Sequence, residues 1–206
     1  MRKEPRQTRS SSLVEAALEA AVQVLVAEGA ARFTMARVAE RAGVSVGSLY
    51  QYFPNKAALL FRLQSDEWRQ TTGMLQAILE DRGTPPLERV RALTHAFVRS
   101  ECEEAAVRGA LADAAPLYRD APEAREIKAG ANAAFLRFMD EALPGLSPAQ
   151  RGVAADILKT AMGDVGKSIS EKGLGTPDIE KYADALADML CAYLCLLAKP
   201  SHPEAQ

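Results

Sequence analysis

The 206-residue sequence predicts an all-α fold of about nine helices: a three-helix N-terminal domain with a helix-turn-helix, then a larger C-terminal helical domain. Composition is the first indication, because 38 alanines stand against 25 β-branched residues, a bias that favours helix over sheet. The second is spacing, since apolar residues recur three and four positions apart and so share one helical face. The third is the way glycine and proline divide the chain into helix-length segments.

The first helix is predicted between a serine cap at Ser10, Ser11 or Ser12 and a stop at Gly29. Its inward face is predicted from apolar residues at positions i, i+3, i+4, i+7 and i+8, namely Leu18, Ala21, Val22, Leu25 and Val26.

Two short helices follow. Thr34 is predicted to cap the second helix, Met35 to Ala42, and Gly43 to end it. Ser45 is predicted to cap the third, roughly Val46 to Tyr52.

Six further helices are predicted beyond them, separated by turns rich in proline and glycine. Asn55 is expected to cap the first of these and Thr176 the last. Pro122 suits the first turn of its helix, where its missing N–H costs nothing. The expected ranges are 56–80, 87–104, 105–115, 123–142, 149–171 and 178–198.

Charge is divided unevenly along the chain. Residues 1–62 carry 9 Lys+Arg and 5 Asp+Glu, a net charge of +4, whereas residues 63–206 carry 16 and 22, a net charge of −6. A basic segment followed by an acidic remainder suggests an anion-binding domain attached to a second domain of a different kind. We therefore expect one domain over residues 1–62 and a second over residues 63–206.

Composition also narrows the class of protein. No window holds 18 uncharged apolar residues, so no membrane span is expected. Residues 1–12 are polar and basic, without the apolar centre of a signal peptide. The three cysteines are too few for a disulfide scaffold. These features are typical of a protein of the reducing cytoplasm.

The informative segment is residues 34–56. Ala39 is small where two short helices must cross, and Gly43 can adopt the positive φ that a tight turn requires. Val38, Val44 and Leu49 are predicted to fill the space between the helices. The segment reads Thr-Met-Ala-Arg-Val-Ala-Glu-Arg-Ala-Gly-Val-Ser-Val-Gly-Ser-Leu-Tyr-Gln-Tyr-Phe-Pro-Asn-Lys.

This stretch and the helix before it resemble the DNA-binding domain of the tetracycline-repressor (TetR/AcrR) family over about residues 13–65. The remainder is similar to that family's regulatory domain in length and helical character, without a recognisable motif. The residues that carry the resemblance are Phe33-Thr34, Val38-Ala39, Ala42-Gly43-Val44-Ser45, Gly47-Ser48-Leu49-Tyr50, Tyr52-Phe53 and Asn55-Lys56.

The resemblance implies that the third helix is a recognition helix in the DNA major groove. Val46 and Ser48 would then meet base edges, and Gly47 would let the backbone approach closely. Tyrosine hydroxyls suit phosphate oxygens, although Tyr52 has packing in the core as an equal alternative. The full set expected to bind DNA is Thr34, Arg37, Ser45, Val46, Gly47, Ser48, Tyr50, Gln51, Tyr52 and Lys56.

Cations outside the third helix have expected roles as well. Lys56 begins a helix, where a lysine is unfavourable to the helix dipole, and a nearby phosphate would resolve that conflict. Arg37 can reach the DNA backbone or a base, or be plain surface. The basic residues before the first helix either enter the minor groove or form a solubilising tail; they are Arg2, Lys3, Arg6 and Arg9.

For the second domain the resemblance implies an effector pocket and a dimer interface made by the last two helices. Large residues of the middle helices are the pocket candidates: Trp68, Phe97, Cys102, Tyr118, Phe135, Phe138 and Met139. His95 and Arg137 are weaker candidates for polar groups of that pocket. The expected interface residues are Ile157, Ala161, Val165, Leu186, Leu190, Tyr193 and Leu197.

The sequence thus indicates a homodimeric repressor that is released from a palindromic operator by a small-molecule effector, without metal or cofactor and without enzymatic activity. Only two histidines are present, and no catalytic set is visible. Two alternatives stay open. One is a thiol-based redox-sensing regulator, since Cys191 and Cys195 lie four apart on one helix face. The other is a helical ligand-binding protein or enzyme with a vestigial DNA-binding domain.

Overall fold

A computed structural model describes residues 4–114 and 122–199, and within these ranges the chain forms nine helices and no strand. The all-α prediction is therefore confirmed. None of the helices in these ranges is both long and apolar enough to cross a membrane. The helices are α1 (Glu4–Arg32), α2 (Met35–Ala42), α3 (Val46–Tyr52), α4 (Lys56–Glu80), α5 (Pro86–Glu103), α6 (Ala105–Ala114), α7 (Pro122–Ala142), α8 (Pro148–Ser170) and α9 (Thr176–Ala198).

Most helix boundaries lie within a residue or two of the predicted ones, because their caps form as the sequence indicates. Asn55 Oδ1 accepts a hydrogen bond from the Ala58 N–H at 2.8 Å at the start of α4. Ser147 and Gln150 form a reciprocal capping box at the start of α8.

Two predicted helix starts were wrong, whereas the helix break predicted at Gly29 is present, although a helical stretch follows it. Helix α1 begins at Glu4, not at a serine cap, because Pro5 is tolerated in a first turn. It continues to Arg32 through a single non-helical residue, Gly29, with φ 74° and ψ 167°. Thr176 is the first residue of α9 rather than its cap, and Gly175 occupies the cap position without a side-chain bond.

The chain forms two compact units, and each unit is made of two separate stretches of the sequence. The first contains the residues up to Trp68 together with Ala106–Ala124, and the second contains Arg69–Ala105 and the residues from Arg125 onward. Leu111 of α6 is buried in the same hydrophobic cluster as α1, α2 and α3. The domain boundary expected after residue 62 stays a prediction.

The second unit is built around α5, which packs along α8 and α9. Small residues let α5 and α8 approach closely: a Cβ added to Gly166 would lie 2.9 Å from Cε1 of Phe97. The glycine thus leaves the space that the Phe97 ring fills. Leucines, phenylalanines and methionines of five helices complete the core, including Leu93, Phe138, Met139, Leu158 and Leu194.

We predict that Gly166→Ala lowers the free energy of unfolding by about 1–2 kcal/mol, because the new methyl group forces the Phe97 ring to move. Gly163→Ala, three residues earlier in α8, has nothing within 4 Å of its added Cβ. It should instead raise stability by about 0.5–1 kcal/mol through helix propensity. Urea unfolding followed by circular dichroism measures both. Equal effects of the two substitutions would contradict the close packing of α5 and α8.

Candidate nucleic-acid interface

Helix α2 is capped at both ends by local hydrogen bonds. Thr34 is extended, and its hydroxyl accepts a hydrogen bond from the Arg37 N–H at 3.3 Å. Gly43 adopts the left-handed region at φ 67° and ψ 28°, which a residue with a Cβ rarely does. The Val44 N–H then donates to the Ala39 carbonyl at 2.9 Å, so the chain turns sharply into α3.

Helix α3 begins at a second side-chain cap. The Ser45 hydroxyl oxygen accepts from the Ser48 N–H at 3.0 Å, and the two serine hydroxyls lie 2.7 Å apart. Leu49 is fully buried against α1 and α2, whereas the residues around it stay at the surface. The exposed residues of α3 are Val46, Gly47, Tyr50, Gln51 and Tyr52, and Ser48 is half-buried.

The exposed face of α3 therefore contains five of the ten residues expected to bind DNA. Its hydroxyl, amide and methyl groups can donate, accept or make apolar contact with a groove of matching width. Tyr52 lies at the surface, so packing in the core, the alternative left open for it, was wrong. Phe53 and Leu49 take the core positions instead.

Three cations next to α3 contact the last turns of α1. Arg37 forms an ion pair with Glu28, and Arg41 Nη1 lies 3.5 Å from Gln23 Oε1. The Lys56 ammonium donates to the Ala30 carbonyl at 2.6 Å and lies 5.6 Å from the centre of the Phe33 ring. Since Ala30 is one of the last four residues of α1, its carbonyl has no N–H partner within the helix. Lys56 thus ties the start of α4 to the end of α1.

Sequence reasoning missed this role of Lys56. A lysine in the first turn of a helix predicted a phosphate contact, but the carbonyl it meets lies 26 residues away in the chain. An ammonium group has three N–H donors, so the bond to Ala30 leaves donors for a further acceptor.

The described residues expected to line a pocket have different surroundings, and a pocket formed by the whole set stays a prediction. Trp68 belongs to the first compact unit, and Tyr118 lies outside the described residues. Phe135 and Met139 are buried core residues, and the Phe97 ring packs on Gly166. Cys102 is half-buried against the same core.

Phe138 is likewise a core residue, but its ring also contributes to a cavity. A guanidinium, that of the buried Arg89, lies 5.1 Å from the centre of the ring. The cavity, of about 240 Å³ at the ends of α4 and α7, also exposes the ion pair between Glu80 and Arg137. Arg137, a weaker pocket candidate, thus does line a cavity, whereas His95 instead contacts carboxylates of α9.

The expected interface residues divide into two groups. Leu186 and Leu190 are buried in the core of the second unit, so their placing at a dimer surface was wrong. Ile157 and Val165 are exposed. Ala161, Tyr193 and Leu197 are half-buried.

The structure shows exposed apolar residues on α9 that sequence reasoning missed. They are Tyr182, Met189 and Leu196, and Val153 adds to the exposed residues of α8. A spacing of seven residues keeps side chains within about 20° of one another around a helix, and that spacing was the available signal. We name the exposed apolar residues of α8 and α9 the apolar stripe: Val153, Ile157, Val165, Tyr182, Met189 and Leu196.

Two parts of this chain match known protein families. Residues 17–63 match the family described as bacterial regulatory proteins, tetR family. Residues 85–197 match the tetracyclin repressor-like C-terminal domain. Together the two matches include all of α2, α3 and α5 and most of α9.

Similar proteins and structures agree with this result. The nucleoid occlusion factor SlmA of Vibrio campbellii is 37% identical over 82 residues, which are 39% of this chain and 41% of that protein. The match thus spans about two fifths of the relative. The fatty acid degradation regulator FadR from Bacillus halodurans has a TM-score of 0.68 at 17% identity, covering 93% of this chain and 97% of that one.

Two further structures share the fold. A putative tetR-family transcriptional regulator from Mesorhizobium loti has a TM-score of 0.70 at 16% identity, covering 90% of this chain and 98% of that one. NalD from Pseudomonas aeruginosa, the secondary repressor of a multidrug efflux pump, has a TM-score of 0.60 at 19% identity, covering 95% of this chain and 100% of that one.

We predict that Thr34→Val lowers the free energy of unfolding of the first unit by about 1 kcal/mol, because it removes the α2 cap without changing the side-chain shape. Thr34→Ser keeps the capping oxygen and should retain most of the stability. Fluorescence of Trp68, the single tryptophan, follows the unfolding of this unit in urea. A loss in the serine variant with none in the valine variant would show that the methyl group, and not the cap, matters.

Proposed function

Since this chain belongs to the tetracycline-repressor family and is a DNA-binding transcriptional regulator, we propose that it acts as a homodimeric repressor, released from a palindromic operator by a small-molecule effector. The observation that carries the proposal is the exposed face of α3. A seven-residue helix held by one buried leucine and a serine cap exposes its valine, its glutamine and both of its tyrosines. Such a helix fits the major groove of DNA.

Base reading is assigned to the start of α3. Val46 can touch a thymine methyl group, and the Ser48 hydroxyl can donate or accept at a base edge. Gly47 leaves room for close approach of the backbone, since its added Cβ would meet only Ser45 Oγ at 3.9 Å. Gln51, which is exposed one turn later, suits the two hydrogen-bonding groups of adenine.

Backbone contacts are assigned to residues around that face. The hydroxyls of Tyr50 and Tyr52 are exposed and suit phosphate oxygens. The N-terminal amides of α2 and α3, beside Thr34 and Ser45, also favour an anion. Arg37 would exchange its exposed ion pair with Glu28 for a phosphate, at little cost because such pairs are weak in water.

The apolar stripe supports a dimer. Its six large side chains are exposed on the last two helices, which leaves apolar area in water unless a partner covers it. Two copies of α3 held about 34–36 Å apart by a two-fold dimer would match successive major grooves of DNA. One short helix makes too few contacts for a specific site, so two copies also explain a palindromic operator.

Release by an effector requires a difference in binding free energy between two states. For a 100-fold loss of DNA affinity, the effector must bind the released state better by about 2.7 kcal/mol. Helix α4 contains residues of both compact units, so a shift of this helix is a direct means of coupling them.

The thiol-sensing alternative gains little support. Burial raises the pKa of the Cys102 thiol, and the carboxylates of Glu101 and Glu103 raise it further. Burial also raises the pKa of Cys191. A thiol that keeps its proton at neutral pH reacts slowly. Cys195 is exposed, so labelling of the folded protein with a thiol reagent tests the alternative, and three unreactive thiols would end it.

The experiment that tests the proposal is selection from a random duplex library by the purified protein at about 150 mM salt, with sequencing of the bound DNA. We expect an enriched palindrome with half-sites one helical turn apart or a multiple of it. Ser48→Ala should change the enriched sequence at one position per half-site. A folded dimer that enriches nothing would contradict operator binding.

Lys56→Ala should weaken binding to every DNA sequence and reduce the slope of log K against log salt by about 1, because one phosphate contact is lost. It should also destabilise the first unit, since the Ala30 carbonyl loses its donor. Lys181→Ala, a change of an exposed lysine on α9, is the control and should leave the slope unchanged. A lower affinity with an unchanged slope would limit Lys56 to the tie between α1 and α4.

Ile157→Glu should convert the dimer to monomers, because a carboxylate in the apolar stripe would lose its water on association. Val26→Glu is the matched control: Val26 lies on α1 and, contrary to its predicted inward position, is 47% exposed, against 49% for Ile157. Sedimentation velocity over a concentration series measures both. Dimers that persist in the Ile157 variant would place the interface elsewhere.

A further inference from the structure

Charged residues connect α5 to α9 in a regular row. On α5 they lie four residues apart, and on α9 they also lie four residues apart, in antiparallel order. Arg91 pairs with Asp188, and Arg99 Nη2 lies 2.8 Å from Glu180 Oε1. We name this row the α5–α9 ladder: Arg91, His95 and Arg99 facing Glu180, Asp184 and Asp188.

His95 occupies the middle of the ladder and contacts two carboxylates at once. Its Nδ1 lies 2.9 Å from Glu180 Oε2, and its Nε2 lies 3.1 Å from Asp184 Oδ1. A neutral imidazole has one N–H, so it can donate to only one of these oxygens. Only the doubly protonated ring can donate a hydrogen bond to Glu180 and another to Asp184 at the same time.

The other charges around His95 are accounted for. Arg99 shares Glu180 with it, and Arg91 Nη1 lies 4.0 Å from Asp184. Helix α8 also packs on α5, but no charged side chain of α8 pairs with His95 in the described part of the chain. His95 therefore stands between two carboxylates of α9, with an arginine on either side along α5.

We propose that His95 is a proton-operated clamp, which holds α9 against α5 when its ring is doubly protonated and releases one of the two carboxylates when it is neutral. This goes beyond DNA binding and does not depend on it. Histidine is the side chain whose charge ordinarily changes between about pH 5 and 8. A change in the charge of this ring would change the number of hydrogen bonds that join α5 to α9.

The sign of the effect follows from the contacts. Protonation adds a second charge-assisted hydrogen bond and neutralises excess negative charge, because three carboxylates face two arginines when the ring is neutral. The doubly protonated ring therefore makes one more charge-assisted hydrogen bond between α5 and α9 than the neutral ring does. Hydrogen bonds from Arg99 and then His95 lower the pKa of Glu180, so this carboxylate stays charged in mildly acid solution.

Because the clamp contacts α9, it affects the orientation of the exposed residues of that helix. Ladder residues Glu180, Asp184 and Asp188 lie on one side of the helix. Successive residues of a helix are about 100° apart around its axis. The buried face of α9, with Leu186 and Leu190, therefore lies roughly a third of a turn from the ladder residues. The exposed residues of the apolar stripe on α9 also lie roughly a third of a turn from them. A change in how the ladder holds α9 therefore turns or shifts the exposed apolar face.

Thermal unfolding at pH 6 and pH 8 tests the clamp. His95→Gln retains one donor group but cannot bridge two carboxylates with charge, so it should lower Tm by about 2–4 °C at pH 6 and by less than about 1 °C at pH 8. The control is His202→Gln, which removes the only other histidine of the sequence. It should match the wild type at both pH values. A His95 variant as pH-dependent as the wild type would overturn the proposal.

A second measurement does not depend on a variant of His95. With ¹⁵N-labelled histidine in the His202→Gln protein, we expect two ring N–H signals at pH 6, both protected from solvent exchange by hydrogen bonds to carboxylates. Only one should remain at pH 8. A single ring N–H signal at pH 6 would show that the ring does not bridge Glu180 and Asp184, and would overturn the proposal even if His95→Gln does not fold.

Discussion

Burial of Leu49 is the interaction on which the exposed face of α3 depends. Helix α3 has only seven residues, far fewer than a helix needs to be stable by itself in water. Its cap at Ser45 and the packing of Leu49 against α1 and α2 provide the stability that so short a helix lacks. With that single side chain turned inward, the remaining residues of the helix are directed outward, so one packing contact determines which groups reach a groove.

The cations around α3 have structural partners in the free protein. Arg37, Arg41 and Lys56 contact the end of α1, where carbonyls and a glutamate carry partial or full negative charge. These contacts orient α2 and the start of α4 before any DNA is present. A phosphate offers a stronger charge to the same exposed groups, so the contacts that organise the free protein are ones that DNA can replace or extend.

The second unit depends on how closely α5 approaches its neighbours. Gly166 lets the Phe97 ring fit against α8, and the α5–α9 ladder aligns the opposite side. One face of α9 is thereby committed to the core and another to ion pairs, and the remaining apolar residues stay exposed. Packing within a single chain accordingly explains why those residues, and not Leu186 or Leu190, are open to a partner.

The sequence by itself determined what neighbouring residues decide: the helical class, nearly all helix bounds, the caps at Thr34 and Ser45, and the left-handed turn at Gly43. Capping and turn geometry act over three or four residues, which a local pattern contains. Tertiary structure decided the partner of Lys56, the return of Leu111 to the first core and the inward face of α9. Those depend on residues distant in the chain, since an apolar stripe shows that a helix is amphipathic but not which neighbour covers it.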